Sequence, residues 1–301
     1  HWVKGLVKNV GSGDTWYNIQ DAVDNTSAGD TLHIWAWTYS ESVDIHDESV
    51  TIIGNGTFNT TINATGGGFG FDIDIDGITI RSLQIVSCGS SGNGIQADGD
   101  DLIVEKVKVS MCSKGISVGG SGVWIGNSTF TSNYDAGVNI YAGDSSTTAV
   151  KVYNNVISWN TEEGVRSAED DTVIKSNSIH NNSDGIYLVD ADDSVIEDNT
   201  ITDNSDNIVV YNGAKRVLIK NNVISDSDKR GIYVSGSTSN DGIIEDNTVT
   251  NSGTHGIFIQ HSDYFYLGNN TVSGSDNQDI YFFKATIGNS AKNTTFSTII
   301  V

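Results

Sequence analysis

The chain contains no proline, one methionine and two cysteines in 301 residues. An average composition of about 5% would supply roughly fifteen prolines, and nothing in the sequence accounts for their absence. Basic residues are scarce too: 16 Lys and Arg stand against 38 Asp and Glu, for a net charge of -22. That balance excludes nucleic acid and an anionic membrane surface as partners, because both are held by basic patches. No run of 18 apolar residues is present, so membrane insertion by a helix is not expected. No leader is visible either, and the expectation is an exported, extracellular or cell-surface chain whose signal peptide has been removed before His1.

What the chain has in abundance is repetition. Gly185-Ile186-Tyr187-Leu188, Gly231-Ile232-Tyr233-Val234 and Gly256-Ile257-Phe258-Ile259 are copies of one phrase, and Gly94, Gly115, Gly137 and Gly164 hold its first position upstream. Asn207 and Asp279 take the glycine's place in two further copies, giving steps of 21 to 27 residues. A unit this short has room for two or three brief strands and no helix, so it must stack on its neighbours to bury an apolar face. The period predicts an all-β solenoid of about ten coils, read as one domain: N-terminal cap and first coils over 1–75, repeat coils over 76–283, and a C-terminal cap over 284–301.

Aligned copies place Asn155, Asn177, Asn199, Asn222, Asn247 and Asn270 at one position. In a parallel stack the same side chain recurs every ~4.8 Å, and amides at that spacing bond along the column. This predicts an asparagine ladder, preceded by Leu83, Val107 and Ser128 in the same slot. Alternation along the strands turns Ile174, Ile196, Ile219 and Ile244 inward, and Lys175, Glu197, Lys220 and Glu245 outward. Cys88 and Cys112 fall at equivalent positions one coil apart, within disulfide range; a bond or a stacked pair of thiols both fit. Ile19, Ala22 and Val23 have helical spacing, with Asp14 or Thr15 as the cap, and this short helix is expected to cover the open end of the solenoid. The segment from Phe296 to Val301 is expected to cap the other end or pack along a side.

Asn18-Ile19-Gln20-Asp21-Ala22-Val23, Gly29-Asp30-Thr31, Val50-Thr51-Ile52-Ile53-Gly54 and the later Gly-Ile-x-Val and Asn-x-Ile units together resemble the right-handed parallel β-helix proteins of the pectin-lyase-like superfamily. The resemblance is closest to their NosD-like, carbohydrate-binding and sugar-hydrolase-repeat branch, and it covers nearly the whole chain. It implies a right-handed parallel β-helix. It does not fix an activity, because the scaffold carries lyases, hydrolases, esterases, adhesins and surface-layer proteins.

The motifs of the family's enzymes are incomplete. Gly99-Asp100-Asp101 matches one polygalacturonase element, but Thr254-His255-Gly256 replaces the Gly-His-Gly that must accompany it. Asp101, Asp171, Asp193, Asp241 and Asp263, with Lys215, are assigned to one turn position and read as turn chemistry. Glu163, Arg166 and Glu169 form the one acid/base candidate for catalysis. Carboxylates at Asp190, Asp192, Asp193, Asp203 and Asp206 are the candidates for a metal; no cofactor is required, and calcium is the ion such oxygen ligands suit. Eight Asn-x-Ser/Thr sequons, at Asn25, Asn55, Asn59, Asn63, Asn127, Asn181, Asn269 and Asn293, are candidate glycosylation sites.

Outward-facing aromatics rise above the scaffold. Tyr187, Tyr233, Phe258 and Tyr281 share a column interrupted by Val209, and Tyr141, Tyr211 and Phe283 are assigned to the next. Such a strip suits glycan rings or a neighbouring surface protein, against the plainer explanation that aromatics favour strands. The expected function is a non-catalytic structural or adhesive module that binds glycans. A polysaccharide lyase or glycoside hydrolase is the first alternative, and a self-assembling surface-layer or filament subunit, a homo-oligomer, the second.

Overall fold

A computed structural model describes residues 5–66, 68–143, 149–284 and 287–300. Its contacts divide at Lys151, into units His1–Lys151 and Val152–Val301. Both are built from the parallel coils that the repeat predicts.

In the second unit a coil consists of three strands and three corners. Val195–Glu197, Thr200–Thr202 and Asp206–Tyr211 make one such turn, with Ile196, Ile201, Ile208 and Val210 buried. The corners at Asp193, Asp198 and Asp203 lie at φ 56, 57 and 56°, a left-handed conformation that Asp and Asn tolerate and proline cannot adopt. Strand and corner N–H groups donate to neighbouring coils, as Asp193 does to Lys215 of the next and Val195 to Thr172 of the preceding one. Those two demands account for the missing prolines.

Successive coils pair in register, with Ile196 opposite Ile219 and Ile186 opposite Ile208. The register moves the repeated turn residue: Arg216 and Tyr264, at φ 52 and 59°, complete the series with Asp171, Asp193 and Asp241, while Lys215 and Asp263 sit one residue earlier. The outward charge column forms as expected, with Lys175 bonded to Glu197 at 3.0 Å and Lys220 within 3.9 Å of Glu245.

The asparagine ladder is present. Asn199 donates its side-chain amide to Asn222 Oδ1 at 3.0 Å, Asn222 to Asn247, and Asn247 to Asn270 at the same distance. A second, inner column runs five residues further along each coil. Asn160 bonds to Asn182 at 3.0 Å and Asn182 to Asn204 at 3.1 Å, after which Ser227, Ser252 and Ser275 continue it. In the first unit the equivalent residues are Cys88 and Cys112, which form a disulfide with Cα atoms 4.4 Å apart, and Asn133, whose Oδ1 accepts the Cys112 N–H.

The first unit stacks Phe71–Ile73, Ile95–Ala97, Ile116–Val118 and Val138–Ile140 in one sheet, and Thr79–Val86 on Ile103–Ser110 in another. Its helix spans Ile19–Val23 and buries Ile19 and Ala22. Thr15 belongs to a strand, and neither it nor Asp14 caps the helix; the Glu41 carboxylate does so, accepting the N–H groups of Ile19 and Gln20 at 3.0–3.1 Å. Towards the other end Ile299–Ile300 pairs in parallel with Ile280 and Tyr281, with Phe296, Ile299 and Ile300 exposed. Val301 lies outside the described residues.

Candidate functional site

Three outward rows cross the longest strands of the second unit, from Glu163–Ser167 to Gln278–Phe283. The first row is Glu163, Asp184, Asp206, Arg230, His255 and Gln278. The second is Arg166, Tyr187, Val209, Tyr233, Phe258 and Tyr281, and the third holds Val189, Tyr211, Ser235, Gln260 and Phe283. A polar row thus runs beside an aromatic one.

The aromatic row stacks on itself. Tyr233 and Phe258 lie 5.5 Å apart with ring planes at 19°, and Phe258 and Tyr281 lie 5.1 Å apart at 9°. His255 joins the stack at 4.9 Å from Phe258, and the Arg230 guanidinium covers Tyr233 at 3.5 Å. Phe258 is therefore sandwiched and offers an edge, not a face, to a ligand. Val209 breaks the column and is itself buried. Tyr187 and Tyr211 flank this break with centroids 6.2 Å apart and planes tilted by 39°, and Tyr211 is 41% exposed. Tyr141 lies in the first unit over Gly119, where a Cβ would come within 2.3 Å of its ring, and its hydroxyl bonds to Gln96 and Asp98.

Electrostatics concentrate at the polar row. Asp206 is buried and held by Arg230 through two side-chain bonds of 2.6 and 2.7 Å. Asp184, one coil before, makes no ion pair among the described residues, and burial together with the nearby Asp206 charge pushes its pKa up from 3.8 to about 6. Burial holds the His255 imidazole below its usual 6.5. Of the proposed catalytic trio, Glu163 and Arg166 pair at 3.2 Å, and Arg166 lies 5.4 Å from the Tyr187 ring centre. Glu169 lies two residues past that strand, where its backbone carbonyl accepts the Thr172 hydroxyl. Sequence reasoning missed Asp184 and Arg230, and met His255 only as part of an incomplete motif; their row changes residue type at almost every coil, so no period betrays it.

The five metal candidates do not make one group. Asp192 and Asp193 are bound by Arg216 at 3.2 and 2.5 Å, Asp206 by Arg230, and Asp190 and Asp203 sit at different left-handed corners. Among the described residues no three His, Cys, Asp or Glu side chains are placed to hold a metal ion. Of the sequons, Asn25, Asn55, Asn59, Asn127, Asn269 and Asn293 are exposed, and Asn63 and Asn181 are partly covered.

In-register parallel coils, an asparagine ladder and a functional-looking face on the longest strands define a parallel β-helix protein. The chain belongs to the right handed beta helix region family, whose model matches residues 143–298. Among curated proteins nothing matches it. Solved structures similar to it include the A-module of mannuronan C-5 epimerase AlgE4 of Azotobacter vinelandii, at 18% identity over 94% of this chain and 91% of that one, with a TM-score of 0.75. The Dettilon tailspike protein matches at 14% identity over 95% and 59%, TM-score 0.65, and pectate lyase Pel9A at 16% over 92% and 73%, TM-score 0.56. At these identities the likeness is one of fold. No helix among the described residues is long and apolar enough to cross a membrane.

Proposed function

We propose that the protein is an exported β-helix module that binds a glycan chain along the outward face of its second unit, with the break at Val209 as the centre of the site. The observation that carries this reading is the pair Tyr187 and Tyr211, tilted apart on either side of a small residue. Their rings are outside the self-stacked column, and sugar rings stack on such surfaces. The row from Asp184 to Gln278 then supplies acceptors and donors to hydroxyl groups. Proteins named as acting on mannuronan and pectate share the fold, which favours a glycan over a protein partner. The test is a glycan array with the wild type and with Tyr187→Ala plus Tyr211→Ala. Binding by the wild type that the pair of substitutions lowers about tenfold or more supports the site; undiminished binding, or none by the wild type, overturns it.

A second reading, a lyase or hydrolase acting on the same chain, is favoured by Asp184. A carboxyl titrating near 6, one coil from a carboxylate bonded to Arg230, matches what general acid/base chemistry requires. Release of shortened or unsaturated products from polysaccharide, abolished by Asp184→Asn, would establish it; intact polymer after long incubation would remove it.

A further inference from the structure

We propose a separate binding site for an acidic sugar residue on the first unit, in the cleft beneath the loop that carries Phe58. The loop from Asn55 to Thr60 is firmly tied: Gly56 N–H donates to Ser82 O, the Asn59 and Thr60 N–H groups both donate to Gly56 O, and Asn55 N–H donates to Thr60 Oγ1. That framework holds Phe58 at its tip, 84% exposed, where its ring is open to a stacking partner. Under the ring opens a cleft of about 380 Å³ lined by Lys106, Lys108, Asn127, Thr129 and Ser82.

The charge of this cleft runs against the molecule. In a chain of 38 acidic and 16 basic residues, two lysines line this space and no carboxylate does, the nearest being Glu105, which accepts the Asn127 side-chain amide at 3.3 Å. Lys108 has no ion pair among the described residues, and Lys106 only touches its neighbour Glu105 at 3.9 Å. Two lysines beside hydroxyl and amide groups and under one apolar ring match a six-membered sugar ring that bears a carboxylate: the ring stacks, the carboxylate pairs with an ammonium, and the hydroxyls bond to Asn127 and Thr129. The volume accommodates one or two such residues.

Calorimetric titration of the full chain with a glucuronate-terminated trisaccharide and with its neutral glucose counterpart tests this site apart from the Tyr187 face. Expected are measurable binding of the acidic sugar, preference over the neutral one by about tenfold, weakening with salt, and a further loss of about tenfold in either Phe58→Ala or Lys106→Gln plus Lys108→Gln. Tyr187→Ala plus Tyr211→Ala should leave this binding unchanged. All these side chains are at least partly exposed, so unaltered thermal unfolding confirms that the variants are folded. Absence of binding, equal affinity for the neutral sugar, or loss only in the Tyr187 and Tyr211 variant overturns the proposal.

Discussion

Asn204 donates its side-chain amide to Oδ1 of Asn207 at 2.8 Å, in a repeat where asparagine stands in the glycine's place. At Gly164 and Gly185 an added Cβ would lie 2.6 and 2.4 Å from the carbonyl oxygens of Gly185 and Asn207 and 3.0 Å from the amide nitrogens of Asn182 and Asn204, so each glycine makes room for the next coil's backbone and for its inner-column amide. After Asn207 that residue is Ser227, whose hydroxyl is buried without a partner. The amide has changed places: Asn207 fills from one side the space that an asparagine at 227 would fill from the other, and it also bonds to Ser225 O.

The exchange predicts strong non-additivity. Asn207→Gly alone removes two buried bonds and should cost about 1–2 kcal/mol. Ser227→Asn alone places two amides in one space and should cost about 1–3 kcal/mol. Together they rebuild the pattern of the preceding coils, so the double variant should unfold in urea within about 0.5 kcal/mol of wild type. Simple addition of the two costs would refute the compensation.

The outer ladder carries a larger single-site penalty. Asn222 donates to Asn247, Ile196 O and Lys220 O, and accepts the N–H and side-chain amide of Asn199. Asn222→Leu leaves those groups without partners in a dry interior and should cost about 3 kcal/mol or more. A loss below about 1 kcal/mol in urea unfolding would mean that the ladder serves register rather than stability.

The outer ladder was legible because one residue type recurs at a fixed step, and the β-solenoid followed from the same period. The inner column was hidden because its occupants change from cysteine to asparagine to serine while doing one geometric job. The row through Asp184, Arg230 and His255 was hidden for the same reason. Variable coil length displaced the turn series, since one residue of slack between Asp193 and Ile219 exchanges Lys215 for Arg216. Parity correctly sent the aromatics outward, but it carries no information on ring tilt, which decides whether a face is free.

Asp184 gives the second unit a pH signature. Its folded pKa of about 6 lies above the ordinary 3.8, so between those values the folded state holds a proton that the unfolded chain has released. The carboxyl therefore costs nothing below pH ~4, becomes progressively destabilising as pH rises toward 6, and exerts its full penalty above that. Asp184→Asn should raise the urea midpoint at pH 8 and leave it unchanged near pH 4. An equal effect at both pH values would assign the change to packing instead.

Asp206 and Arg230 test whether the polar row is a coupled unit. The carboxylate is buried, and Arg230 reaches it through Nε and Nη2 while its backbone N–H also donates to Oδ1 at 3.1 Å. Arg230→Met keeps the stem over Tyr233 but strands a desolvated charge, which should cost about 3–5 kcal/mol. Asp206→Asn keeps an acceptor for the backbone N–H and leaves a cation that is only partly buried and can turn toward solvent, so it should cost less, about 1–2 kcal/mol. Adding Asp206→Asn to Arg230→Met removes the stranded charge, so the double variant should be more stable than Arg230→Met alone. Urea unfolding at pH 7 measures all three, and a double variant less stable than either single one would show that the two side chains contribute independently.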